Sequence, residues 1–380
     1  MGSKIKQGEK DYLKEHSKEK VAFYKKYLDL YLTVLLHSPY TTRINIYDIF
    51  CGVGVYSGDR SKGSPVVAME SIQDKFRGFP NNSDTKQISL TINDGDESRV
   101  NTAKKYIENN CNISKCSFTA KNYDAKEIFP YVINDIQSKQ KSEHHFIFID
   151  PHGYKDIYKR DIISLMEAGK SEILIFLPIH LMYRFLKPTK LDEENRSYLP
   201  LRRFMEEFGL EYNAQTPKEY IKHIEEAFLC DEKYFTTSYV LQADSNNYYA
   251  LFFITKNLRG LEKAVITKWD LDELCGEGLE KEKAPSLFET LEKEDKKENC
   301  LNILEAKLKI FLSIERTNNE IFKFTLLNGF LLKHSNDILK QFQVKDLLEF
   351  DRKVRKGSFY LKYENYKHDE VKYKVKMKDE

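Results

Sequence analysis

The chain has 380 residues, of which 41% are hydrophobic and 32% charged, so it exceeds the roughly 250 to 300 residues that one core usually holds and predicts a large domain with a smaller one. A formal net charge of +2 excludes a global field that would steer the molecule to a polyanion and leaves any nucleic-acid contact to local patches. Six scattered cysteines without a C-x-x-C pair argue for reduced thiols and no metal, and the lack of an apolar h-region or of an apolar run of about 18 residues predicts a cytoplasmic protein without membrane contact.

Val21, Tyr24, Leu28, Tyr31 and Leu35 recur at helical spacing and predict an amphipathic helix from Lys18 to His37. Residues 44–50 then read as a first strand, followed by a long loop, VGVYSGDRSKG, and a helix opened by Ser64 and Pro65. An alternating strand over Ile88–Ile92 ends in Asn93-Asp94-Gly95-Asp96, and a helix follows. Ser117–Ala120 predicts a third strand leading to Asp124 and a helix over 126–139. The run His145–Ile149 is apolar on both faces, as a central strand of a parallel sheet must be, and ends in Asp150-Pro151-His152-Gly153-Tyr154. A helix over 157–168 and a strand over Ile173–Leu177 continue the alternation, and residues 190–235 read as a charged helical insertion. Strands near Thr237–Gln242 and Tyr248–Thr255 predict a hairpin across the turn 243–247.

The fold class is therefore α/β, a Rossmann-like sheet, mostly parallel with a terminal antiparallel hairpin, over residues 1–275. Such an ending resembles that of S-adenosylmethionine-dependent methyltransferase sheets. The charge-rich stretch 276–299 reads as a linker. Residues 300–380 predict three helices, over 300–313, 318–327 behind a Thr317–Glu320 capping box, and from Ser335-Asn336-Asp337 to about 342. A hairpin of Leu347–Phe350 and Ser358–Tyr363 around a basic tip follows, and the whole describes a winged helix-turn-helix.

Ligands of open parallel sheets sit outside the carboxyl ends of the strands, where this chain places Asp48 with Gly52 and Gly54, then Asp94, Asp124 and Asp150. Gly52 and Gly54 let the backbone approach a ligand without a Cβ in the way. Asp94 suits a pair of ribose hydroxyls, with Asn93 and Asp96 as substitutes, and Asp124 suits an exocyclic adenine amine. Asp48, with Asp59, would face a cationic sulfonium or amino group; carboxylates repel phosphate, which favours S-adenosylmethionine over a dinucleotide as cofactor. Each aspartate taken singly also fits a helix N-cap at a strand-to-helix junction. Asp150, His152 and Tyr154 form the candidate catalytic group. They stand where amino-methyltransferases carry Asp-Pro-Pro-Tyr, but His152 replaces the second proline and the aromatic is displaced by one place. His152 is a candidate proton acceptor. The first motif also resembles that of cytosine-C5 methyltransferases, yet neither Pro-Cys nor Glu-Asn-Val occurs in the chain.

The segments DIFCGVGVYSGDRSKGSP, FIFIDPHGYKDI, SEILIFLP with Arg184 soon after, and GLEKAVITKWDLDEL together resemble the three-Cys-motif partner protein family over roughly residues 15–275. The matching positions are Asp48, Gly52, Gly54, Gly63, Asp150, Pro151 and Gly153. The resemblance implies a Rossmann-type methyltransferase fold, a C-terminal winged-helix-like segment and a partner protein bearing a three-cysteine motif. Two functions follow as expectations: an S-adenosylmethionine-dependent methyltransferase acting on nucleic acid with a partner protein, or a non-catalytic nucleic-acid- or partner-binding subunit that retains the fold. Arg352, Lys353, Arg355 and Lys356 are the candidate DNA contacts.

Overall fold

The computed structural model describes residues 12–78, 86–112, 116–192, 194–242, 246–279 and 289–378. The chain divides into two compact units, Met1–Lys256 and Asn257–Glu380. In the first, α1 (Glu15–His37) precedes β1 (Arg43–Asp48), and helices alternate with strands through α2 (Ser64–Gly78), β2 (Gln87–Asn93), α3 (Glu97–Asn110), β3 (Cys116–Lys121), α4 (Ala125–Gln137), β4 (His144–Ile149), α5 (Lys159–Ala168) and β5 (Lys170–Leu177). Short helices α6 (Ile179–Tyr183) and α7 (Leu186–Leu191) lead to α8 (Leu199–Phe208) and α9 (Pro217–Ala227), and the unit closes with β6 (Phe235–Gln242) and β7 (Tyr248–Thr255). The hairpin turn residues 243–245 lie outside the described residues.

Strand order is β3-β2-β1-β4-β5-β7-β6. β1 to β5 are parallel, while β7 runs antiparallel to both β5 and β6. This is the Rossmann-like methyltransferase sheet that the alternation predicts. The strand order runs one way from β1 to β3 and the other from β4 to β5, and this switch between β1 and β4 opens the crevice in which such sheets hold ligands. One face of the sheet is covered by α1, whose Tyr24 ring lies 4.5 Å from Phe148 and whose Tyr27 ring lies 4.6 Å from Phe253. On the other face Ile147, Ile149 and Ile175 are buried with Phe129 of α4, Leu165 of α5 and Phe204 of α8. Burying a side chain of this size contributes roughly 1.5–3 kcal/mol, so β4 and β5 anchor the layers and hold their carboxyl ends fixed.

The second unit contains α10 (Leu258–Leu271), the two-residue strand β8 (Gly278–Leu279), α11 (Glu289–Phe311), β9 (Arg316–Thr317), α12 (Asn318–Leu327), α13 (Leu332–Val344), β10 (Leu348–Phe350), α14 (Tyr363–Lys367) and β11 (Lys374–Met377). The division falls after Lys256 rather than at 275, because α10 packs into this unit: the Trp269 indole donates to the Gly329 carbonyl at 2.8 Å and its ring lies 4.2 Å from His334. Of the expected linker, 280–288 lies outside the described residues, and from Glu289 the chain is helical. The Thr317–Glu320 capping box forms as expected. Ser335 instead lies within α13, where its buried hydroxyl bonds that of Thr325 at 2.7 Å, so the helix starts earlier than its polar triplet suggested.

The expected hairpin partner is corrected. Residues 358–362 form no strand, and β10 pairs with β11, which also pairs with β9. Phe359 and Leu361 are buried and alternate as a strand would, but Tyr360 has φ 51° and its carbonyl is taken by the Asn365 amide. That left-handed residue breaks the extended backbone a ladder needs.

Candidate active site

Between β1 and α2 the long glycine loop folds back on itself. Val55 and Lys62 form a bridge, Gly63 N–H donates to the Gly54 carbonyl at 2.6 Å, and the Asp59 carboxylate accepts from Ser61. Gly54, at φ 78°, sits so close to α3 that an added Cβ would meet Ala103 Cα at 3.0 Å. Gly52, at φ 62°, has open space where its Cβ would be. The first glycine seats the loop on the helix and the second leaves the mouth of the crevice unfilled.

Beneath this loop Asp48 ends β1 at 1% exposure, and neither carboxylate oxygen has a hydrogen-bond partner among the described residues. Burial pushes its carboxyl up to about 7; the nearby Ser64 hydroxyl opposes this, the Asp150 charge adds to it, Lys20 opposes it and Asp94 adds to it. These mutual effects place Asp48, Asp94, Asp150 and Lys20 in one neighbourhood. The Tyr24 hydroxyl, also buried and without a hydrogen bond, has its ionisation pushed up first by burial and then by Asp48.

Asp94 fixes the next wall. Its carboxylate accepts from Gly52 N–H at 3.0 Å and from Asp96 N–H at 2.9 Å, one bond to each oxygen. Each oxygen keeps a lone pair for a further donor. The two substitutes have other work. Asn93 donates to the carbonyls of Ile49 and Tyr123, joining the loops after β1, β2 and β3, and Asp96 caps α3 through Ser98 and Arg99 N–H.

Asp124 forms a capping box at the start of α4, its Oδ1 accepting from Lys126 and Glu127 N–H, so capping accounts for one of its oxygens. Asp59 lies on an exposed turn, where its carboxylate accepts from the Ser61 N–H and hydroxyl.

At the end of β4 Asp150 is ion-paired with Lys20 of α1, whose ammonium also lies 4.5 Å from the Phe176 ring centroid. Lys20 is 8% exposed, and sequence reasoning missed it. The signal was present: Lys20 lies in helical register with Tyr24 and Leu28 on the apolar stripe, where a lysine needs a partner. His152 is exposed, and its Nε2 accepts from the Arg99 guanidinium of α3, a second residue not foreseen. Tyr154 is half-buried and packs edge-on against Phe204 of α8, 6.0 Å away. Gly153, at φ 117°, closes a tight turn with its N–H on the Pro151 carbonyl.

An aromatic column that the motifs did not reveal continues from Lys20. Phe176 stacks on Tyr249 at 5.3 Å, Tyr249 stacks on His16 at 4.2 Å, and His180 meets Tyr249 edge-on at 4.7 Å. Burial, with the charge of Lys20 next, lowers the His16 imidazole to about 4.

In the second unit Arg352, Lys353, Arg355 and Lys356 are all exposed on the segment after β10. Arg352 pairs with Asp351 at 2.8 Å. Among the described residues no group of three or more His, Cys, Asp or Glu is placed to hold a metal, and no helix is long and apolar enough to cross a membrane.

No protein-family model matches the chain, and a search of curated proteins finds no match. Among solved structures, "a putative O-methyltransferase from Klebsiella pneumoniae" aligns at 10% identity over 61% of this chain and 79% of its own, with a TM-score of 0.32. A DUF574 family protein from Streptomyces avermitilis aligns at 10% identity over 64% and 88%, with a TM-score of 0.32. The METTL16 MTase domain aligns at 14% identity over 60% and 66%, with a TM-score of 0.29.

Proposed function

We propose that the chain is an S-adenosylmethionine-dependent methyltransferase that acts on nucleic acid together with a partner protein. The observation that carries the reading is Asp48, a buried carboxylate with both oxygens unsatisfied, beneath a glycine loop with open space at Gly52. A buried polar group without a partner costs roughly 1–3 kcal/mol and calls for a ligand that supplies one. A cationic amino or sulfonium group fits it, whereas a phosphate is repelled. The remaining groups match the same ligand: Asp94 keeps acceptor capacity for ribose hydroxyls, and Asp124 keeps one oxygen for an adenine amine. Bound there, S-adenosylmethionine would supply an electrophilic methyl group. Asp150 and Lys20 then stand at the end of the neighbouring strand, where an acceptor must be oriented.

The order helix, strand, helix, helix, strand, short helix, strand from α11 to β11 supports a winged helix-turn-helix in which the connection 351–373, carrying α14, stands where a wing would, with the four basic residues near its start. The partner protein rests on the family resemblance alone.

Isothermal titration tests the donor site. The full chain is expected to bind S-adenosylhomocysteine, and Asp94→Ala to weaken it by at least tenfold while the fold is kept; absence of binding by the unaltered chain removes the proposal. The second reading, a non-catalytic subunit, is favoured by one observation: Arg99 occupies His152. Full biological activity in cofactor-site variants would select it.

A further inference from the structure

A cleft of about 540 Å³ opens in the first unit, lined by His180, Tyr183, Arg184, Pro217, Asn246 and Tyr248. Its size falls in the range of small-molecule sites, roughly 300–1,000 Å³. It lies past the carboxyl end of β5, and because β7 is antiparallel to β5, with Leu177 opposite Ala250, the start of β7 reaches the same edge. The cleft is thus on the edge of the sheet that carries Asp48, Asp94 and Asp150. The column His180–Tyr249–Phe176–Lys20 leads from it to Asp150.

The lining is preset for a flat ligand. The Tyr183 hydroxyl donates to the Gln215 carbonyl at 2.5 Å, and His180 Nδ1–H donates to the Tyr248 carbonyl at 3.1 Å, so both rings are oriented from behind. Arg184 is exposed, and its guanidinium has no hydrogen bond or ion pair among the described residues. Among the described residues no carboxylate lines the cleft. Beyond it, Leu181 and Phe185 are exposed large apolar side chains, and Lys187 and Lys190 are exposed cations on the same run of chain. Rings that stack bases and cations that meet phosphates are what a nucleic-acid strand demands.

We infer that this cleft is the acceptor subsite, holding one nucleotide of a single strand with its base among His180, Tyr183 and Tyr248 and a phosphate on Arg184. The inference rests on the methyltransferase reading and gives it a substrate class. Lys187 and Lys190 would carry the adjoining phosphates away from the cleft.

The test is fluorescence anisotropy of labelled single-stranded DNA and RNA 12-mers on the full chain in which Arg352, Lys353, Arg355 and Lys356 are serine, so that the second unit does not mask the cleft. Arg184→Ala is expected to weaken strand binding about tenfold at low salt and to flatten the dependence of log affinity on log salt by about 0.7. Arg184→Lys should keep most of the salt slope, and Tyr248→Ala should weaken binding without changing it. Adenosine and cytidine monophosphates serve as competitors: displacement of the strand assigns a free nucleotide to the cleft, and failure to displace assigns the strand. Affinity for S-adenosylhomocysteine should be the same in every variant. Strand affinity unmoved by both Arg184→Ala and Tyr248→Ala, or binding only to a partner protein, overturns the subsite. A chain that binds strand through Arg184 but no S-adenosylhomocysteine keeps the subsite and removes the donor reading.

Discussion

Asp48→Asn separates what the buried carboxylate costs the fold from what it gives the ligand. The substitution keeps the shape and removes the charge. Burial raises the carboxyl from 3.8 to about 7, a rise of about 3 units. At about 1.36 kcal/mol per unit, the folded chain disfavours the ionised form by roughly 4 kcal/mol relative to the unfolded chain. A carboxyl raised in the folded state contributes its full stability below the unfolded value, loses it as the pH climbs from about 4 to about 7, and contributes no further change above that. The variant is therefore expected to match the parent near pH 4 and to exceed it by up to about 4 kcal/mol near pH 8. Thermal unfolding of both full chains across that range measures the difference. Binding moves the other way: an ionised Asp48 beneath a cation is lost, so S-adenosylmethionine affinity should fall by about one to two orders of magnitude near pH 8. S-adenosylhomocysteine has the amino group but no sulfonium charge. If Asp48 faces the amine both ligands weaken, and if it faces the sulfonium only the first does. A variant with unchanged stability near pH 8 and unchanged affinity for both ligands refutes the assignment.

The two loop glycines should respond differently to alanine. Gly54→Ala forces a Cβ to 3.0 Å from the α3 backbone at φ 78° and is expected to cost a few kcal/mol, read as a lower unfolding midpoint. Gly52→Ala meets nothing within 4 Å, so it should cost about 1 kcal/mol for its left-handed backbone while reducing cofactor affinity disproportionately. Equal losses of stability in the two would refute the contact. In the second unit, replacing Arg352, Lys353, Arg355 and Lys356 by serine should weaken duplex DNA binding and flatten its salt dependence, Arg352 contributing least because Asp351 already pairs it. Unchanged affinity and salt slope would remove the wing as a contact.

Strands and helices of the first unit were legible because their signals are local. His145–Ile149 is apolar on both faces, and only a central strand of a covered parallel sheet needs that. The strand-end aspartates were legible as positions but not as roles: Asp96 and Asp124 satisfy helix N–H groups, while Asp48 and Asp94 turn inward, and the residue type is the same in all four. What separates them is burial. The strand expected over 358–363 failed for a related reason. Alternation reports which side chains are buried, and Phe359 and Leu361 are, but it does not report who pairs with whom; β11, from a later stretch, holds the edge of β10. Lys20 was legible as a lysine on an apolar stripe, but its partner Asp150 lies 130 positions away, and Arg99 was hidden because His152 lies 53 positions away.

The position of α1 gives the site its electrostatic character. Three carboxylates, Asp48, Asp94 and Asp150, gather at the strand ends, and α1 brings a single lysine to them. Lys20 is committed to Asp150, where loss of one partner of a buried pair would leave the other charge uncompensated at a cost of several kcal/mol. Asp94 is steadied by backbone N–H groups. Asp48 is the most deeply buried of the three and has two acids as neighbours, which Ser64 and Lys20 only partly offset, so its carboxyl holds its proton to about 7. Under the proposed donor reading, a cation entering beneath the glycine loop would displace that proton and gain an ion pair, whereas an anion would meet the repulsion of the three gathered carboxylates.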